Sequence, residues 1–220
     1  MKQTTGIQQA PARKRGPRVD AQRNRERIVA AAATAFAQTG ADTSVEEIAT
    51  AAGVAVVTLY RHFPDRDALI RGVGRDAFAR ALAEAQAAVA EEPTAWDALT
   101  RILSQSQPLR LSLQFVLASP AAREVMMSDD EARALKRGIF ELLDEAVQAA
   151  QAEGSVRTDV GAGDVAMLFV LLVRQLPLPK LESAPLALQR SVALMLDALR
   201  VDRGDSLPGR PLSRADLGFS

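Results

Sequence analysis

Apolar positions recur at helical spacing over most of the chain and lose that rhythm at both ends. Residues 1 to about 19 carry Gln, Thr, Gly, Pro and basic side chains without periodicity and read as a flexible arm. From Asp20 the pattern changes. Ile28, Ala32, Ala35 and Phe36 share one face, and Gly40 follows closely enough to end the helix. Ser44-Val45-Glu46-Glu47 sets a hydroxyl three residues before a carboxylate, the spacing at which the two side chains satisfy orphan amides at a helix start. A short helix begins there, Gly53 stops it, and another runs from about Val56 to Phe63 before Pro64 breaks the pattern. Asp65 can cap the next helix, which is rich in Ala and Leu and continues to about Glu91. At about 25 residues and 1.5 Å per residue it spans roughly 37 Å, enough to link a small module to a larger body.

Further helices are predicted at 94–106, 108–118, 120–153 with a break near Ser128-Asp129, 163–176 and 185–201. The end, Asp202 to Ser220, has Gly, Pro, Ser and Arg with little apolar content and reads as an unstructured tail. No internal repeat of solenoid length occurs. Hydrophobic residues at 48% allow a substantial core, and aromatics at 4% beside abundant Ala and Leu favour helices over sheets. The expected fold is therefore all-α. Its organisation is a basic arm at 1–19, a three-helix unit at 20–66, a larger helical body at 67–201 and a tail at 202–220.

Charge sharpens this picture. The chain is formally neutral, yet residues 1–27 hold Lys2, Arg13, Lys14, Arg15, Arg18, Arg23, Arg25 and Arg27 against Asp20 and Glu26 alone. Such asymmetry is expected where one end meets a polyanion, although a solubilising tail has the same composition. Cysteine is absent, which removes disulfides, thiol catalysis and cysteine-based metal sites. One histidine cannot build a metal site alone, and no cofactor is called for. No apolar run approaches the length needed to cross a bilayer, so a cytoplasmic location is expected.

A helix, a capped short helix, a Gly-Val turn and a second short helix with a polar outer face form the layout of a DNA-binding helix-turn-helix. Ile48, Ala49, Ala52, Val54 and Leu59 supply its small core, and Gly53 accepts the positive φ of the turn without a Cβ clash. Val56, Val57, Thr58, Tyr60, Arg61 and His62 are left to face outward. The runs Thr43-Ser44-Val45-Glu46-Glu47-Ile48-Ala49, Ala52-Gly53-Val54, Thr58-Leu59-Tyr60-Arg61-His62-Phe63 and Arg66-Asp67-Ala68-Leu69 closely resemble the N-terminal signature of the TetR family of bacterial repressors. This match covers about residues 23–70. The resemblance implies phosphate contacts from Ser44, Thr58, Tyr60, His62 and Arg66, which set register. It also implies base reading by Val56, Val57 and Arg61, with Arg61 suited to a bidentate contact with guanine. Two positions depart from the pattern: Ala55 stands where a hydroxyl residue commonly caps the recognition helix, and Val57 where a smaller residue is usual.

The resemblance further implies a homodimer on operator DNA, built by the last two helices. Val165, Leu168, Phe169, Leu172 and Val173 on one, and Leu188, Val192, Leu196 and Leu199 on the other, are too apolar to face water, although plain intrachain core fits them too. Between reading head and dimer bundle, Phe78, Trp96, Leu99, Leu103, Phe115, Met126, Met127, Phe140, Leu143 and Phe169 could line an apolar effector cavity. Arg110, Gln114, Arg174 and Gln175 would be its polar anchors; the plainer reading of such a stripe is core. Gly72 and Gly74 in the linking helix suit a hinge or close packing. Gly161-Ala162-Gly163-Asp164-Val165-Ala166 fits the dinucleotide pattern G-x-G-x-x-A, but no βαβ unit surrounds it, so Gly161 and Gly163 read as the loop into a helix. With no Cys, and its one His in the recognition helix, the chain has little raw material for nucleophilic or His-based catalysis. The expected function is transcriptional repression relieved by a small molecule. A DNA-binding adaptor answering to a protein partner, or an activator, would share the same DNA end.

Overall fold

The structure, a computed structural model, describes residues 17–39, 43–107, 109–110, 113, 116, 119–174, 184–201 and 205–217. The helices are α1 (Pro17–Thr39), α2 (Val45–Ala52), α3 (Val56–His62), α4 (Arg66–Glu91), α5 (Ala95–Gln105), α6 (Pro120–Met127), α7 (Asp130–Ala152), α8 (Ala162–Val173) and α9 (Ala184–Ala198), with a 3-10 turn at Ala215–Leu217. Among the described residues there is no strand; one isolated antiparallel bridge joins Val156 to Arg200. The fold is all-α, as expected. Residues 1–16, Gln114, Phe115 and Gln175 lie outside the described residues, as does most of the helix expected at 108–118.

Side-chain caps explain where several helices begin. Ser44, Asp65, Thr94, Ser119 and Asp129 each accept a hydrogen bond from the backbone N–H three residues ahead. The expected break near Ser128-Asp129 divides α6 from α7, with Asp129 as the cap. Helix α1 starts at Pro17, three residues before the expected Asp20, because proline at a first helical position has no N–H to leave unpaired.

The apolar side chains segregate into two cores. The head core joins Ile28, Phe36, Ile48, Leu59, Phe63 and Ile70 from α1 to α4, and also takes in Phe78, Ala122, Val125, Met126 and Ala132. The body core joins Ala81, Ala85 and Ala88 of α4 to Leu99 and Leu103 of α5, Phe140 and Val147 of α7, Phe169 of α8 and Leu196 of α9. Helix α4 thus contributes its first half to one core and its second half to the other. The head core runs past the boundary expected at residue 66 and recruits α6 from the body's side of the sequence.

The end of the chain differs from the expected unstructured tail. Leu217 packs on the body core, and Arg214 pairs with Glu141 of α7 at 3.1 Å. Arg210 reaches Asp216 at 2.6 Å. Low apolar content concealed an anchorage made mainly of polar and main-chain hydrogen bonds. Among the described residues no helix is long and apolar enough to cross a membrane, and no group of three His, Asp or Glu side chains is placed to hold a metal.

Candidate nucleic-acid interface

The short helices of the head are fixed from both ends. Glu47 N–H donates to Ser44 Oγ at 3.2 Å and Ser44 N–H donates back to Glu47 Oε2 at 3.3 Å, so the predicted capping box forms. This uses the Ser44 oxygen as an acceptor and leaves its O–H free to donate outward. Gly53 closes α2 at φ 62°, and its N–H and that of Val54 return to the carbonyls of Thr50 and Ala49 at 3.0 Å each. Arg27 Nη2 donates to Gly53 O at 3.1 Å, tying α1 to the turn.

Helix α3 is preceded by Ala55, which offers no side-chain cap; its carbonyl accepts from the amides of Thr58 and Leu59 at 2.8 and 3.1 Å. Leu59 is buried in the head core while Val57 is 76% exposed, and Tyr60 and Arg61 are also exposed. Thr58, His62 and Arg66 are half-buried. Val56 is half-buried and packs against the head core, so its side chain is shared between core and surface. His62 Nε2 and an Arg66 guanidinium nitrogen are buried atoms with no hydrogen-bond partner in the protein. Buried polar atoms are rarely left so.

Phe63 anchors the far end of α3. Its ring lies under Gly72, where a Cβ would stand 2.5 Å from a ring carbon, and the Arg25 guanidinium sits 5.4 Å from the ring centroid. At Gly74 an added Cβ would meet the Met126 side chain. Both glycines of α4 therefore serve close packing. Arg25 and Arg27 were counted in the sequence only as basic charge. Their contacts to Phe63 and Gly53 place them on the reading head, and only three-dimensional proximity reveals that role.

A second feature missed in the sequence sits at the head-body junction. Arg75 of α4 donates from Nε to both Asp129 oxygens, at 3.0 and 3.1 Å, and from Nη2 at 2.6 Å; it also pairs with Glu131. The Asp129 side chain is only 2% exposed. Hydrogen bonds from Arg75 hold its carboxyl below the ordinary value, against the upward pull of burial.

Among the described residues, the expected effector residues are divided between the two cores. Phe78 and Met126 belong to the head core; Leu99, Leu103, Phe140 and Phe169 are buried in the body core. Trp96 is half-buried, with the Arg200 guanidinium 4.2 Å from its ring centroid. Arg110 donates to Ser104 O at 2.9 Å, and Arg174 is exposed at the end of α8. A cleft of about 190 Å³ lies elsewhere, lined by Glu84, Arg101, Ile102, Gln105 and Ser106, none of them among the expected residues. On the last two helices Val165, Phe169, Val173, Val192, Leu196 and Leu199 are buried within the chain itself. The large apolar side chains left in solvent on these helices are Met167, Leu168 and Leu171 on α8 and Leu186 and Leu194 on α9.

Residues 28–73 match the family of bacterial regulatory proteins described as the tetR family. No curated protein matches the chain in sequence. A TetR transcriptional regulator from Streptomyces coelicolor is similar in structure, with a TM-score of 0.61 and 28% identity over 80% of this chain and 98% of that one. A TetR transcription regulatory protein from Mycobacterium vanbaalenii gives 0.54 and 28% over 84% and 99%. A gamma-butyrolactone receptor shares the fold at 0.58 and 22% identity, over 80% of this chain and 85% of that one. The matched head, its capped helix-turn-helix and the fold shared along most of the chain with TetR regulators support a DNA-binding transcriptional regulator similar to the TetR family.

Proposed function

We propose that the protein is a cytoplasmic repressor that binds a two-fold operator as a homodimer and leaves it when a small molecule binds the body. The observation that carries the DNA side is the outer surface of α3. Val57, Tyr60 and Arg61 are exposed there, with Thr58, His62 and Arg66 half-buried beside them. Ser44, Thr58, Tyr60, His62 and Arg66 hold phosphates and set register, while Arg61 and the valines read bases. The exposure of Met167, Leu168 and Leu171 on α8 and of Leu186 and Leu194 on α9 supports the dimer, because large apolar side chains left in solvent favour association. A fold shared with a gamma-butyrolactone receptor supports a small organic effector.

The effector acts by its differential affinity for two dimer shapes that space the heads differently. Selection of bound fragments from genomic DNA tests the reading. Recovered sites should share an inverted repeat with half-sites about one helical turn apart or a multiple of it. Arg61→Ala should cost about 1–3 kcal/mol of discrimination at one position of each half-site. Retention in low salt no greater than that of a neutral control protein would overturn it.

A further inference from the structure

The G-x-G run at Gly161 and Gly163 has a use that the regulatory reading does not absorb. Residues 205–217, irregular up to the 3-10 turn at Ala215–Leu217, reach the start of α8 and dock there by their main chain. Leu212 N–H donates to Asp164 Oδ2 at 3.0 Å, and Gly163 N–H donates to Leu212 O at 3.0 Å, so one residue is held from both sides. The same Asp164 oxygen accepts Gly161 N–H at 2.8 Å. Upstream, Arg157 grips Asp159 with two bonds of 2.5 and 2.8 Å; it also donates to Asp205 O at 2.7 Å, while Leu207 N–H donates to Asp159 at 2.8 Å.

Side-chain volume is absent where this docking is tightest. A Cβ on Gly163 would stand 2.5 Å from Leu212 O, and one on Gly161 would meet the same carbonyl. Neither position needs glycine for its dihedral angles, since the positive-φ glycines are Gly53, Gly154 and Gly209. Gly163 is moreover the second residue of α8, a helical position at which alanine would be the better helix former. The reason for glycine at both positions is the backbone that crosses them.

The structure assigns to Arg157, Asp159, Gly161, Gly163 and Asp164 a binding site for a peptide main chain, occupied by the protein's own residues 205–217. The occupant acts as a strap. It clamps the first turn of α8 at Leu212 and reaches α7 through Arg214 and Glu141. The helix that bears Met167, Leu168 and Leu171 is thereby fixed at its base.

A cycle in the full-length chain tests this, using Gly163→Ala, Leu212→Pro and the double variant. The first adds a methyl group against the strap's carbonyl; the second removes the strap's N–H at a site outside every helix. Amide exchange and thermal unfolding are read together. Gly163→Ala should speed exchange at Leu207 and Leu212 on the order of tenfold, the loss of one bond to a charged group, and should lower Tm. Leu212→Pro should speed exchange at Gly161, on the far side of the contact. In the Leu212→Pro background, Gly163→Ala should cost no further Tm, because alanine is the better helix former once the strap is unseated. The assignment is overturned if the Leu207 and Leu212 amides exchange at free-peptide rates in the unaltered chain. It is also overturned if Gly163→Ala leaves them protected, or if the two Tm losses add in full.

Discussion

Ala55 precedes α3 with a methyl group where a hydroxyl or carboxamide would accept an orphan helix amide. Ala55→Ser should therefore stabilise the protein by about 1 kcal/mol, read as a raised midpoint in urea at unchanged slope. A lowered midpoint would mean that the methyl group has a packing role its exposure does not suggest. Asp129 makes the opposite case, a charge inside the protein with every oxygen committed. Its carboxyl is held below the ordinary value by Arg75, so the stability it contributes is present above the unfolded value of about 3.9 and lost as pH falls through the lower folded value. Asp129→Asn keeps a capping side chain but gives up the charged bonds. At neutral pH it should cost about 1.5–3 kcal/mol, and below pH 4 its stability should fall less steeply than that of the unaltered chain. Parallel acid titrations of the two proteins would contradict this.

At the scale of elements, helix boundaries were largely legible because each was written in local chemistry. The Ser44 capping box, the Gly53 turn, the Asp65 cap and the Ser128-Asp129 break all appear where their residues sit. What each face of a helix touches was less legible. Val165, Phe169 and Val192 have the apolarity of an association surface and of a core alike, and periodicity does not separate the two. Which apolar residues share a core was hidden for the same reason: Met126 sits over Gly74 in the head core, far along the sequence from the helices it joins. Gly72 and Gly74 could be read as hinge or packing, and the contacts of Phe63 and Met126 decide for packing. Gly72→Ala should accordingly destabilise by about 1–3 kcal/mol, although alanine alone would favour the helix by about 1 kcal/mol. A gain in Tm would show that the Phe63 ring can move aside freely.

Over the whole molecule, the proposed function rests on two surfaces among the described residues, the outer side of α3 and the exposed apolar side chains of α8 and α9. Leu171 and Leu194 are 57% and 68% exposed and touch no other element strongly enough to hide them. Replacing both by Glu should leave the fold of each chain intact, shift sedimentation to the monomer at micromolar concentration, and weaken operator binding by removing the second head. Dimers that persist would locate the contact elsewhere. The sharing of α4 between two cores has a practical bearing on chimeras. A graft cut at residue 66 would strip Ile70, Val73 and Phe78 from the head and leave its interior open on one side. An exchangeable reading unit has to extend through Phe78 and import residues 120–132 with it, two separate stretches of chain moved as one block.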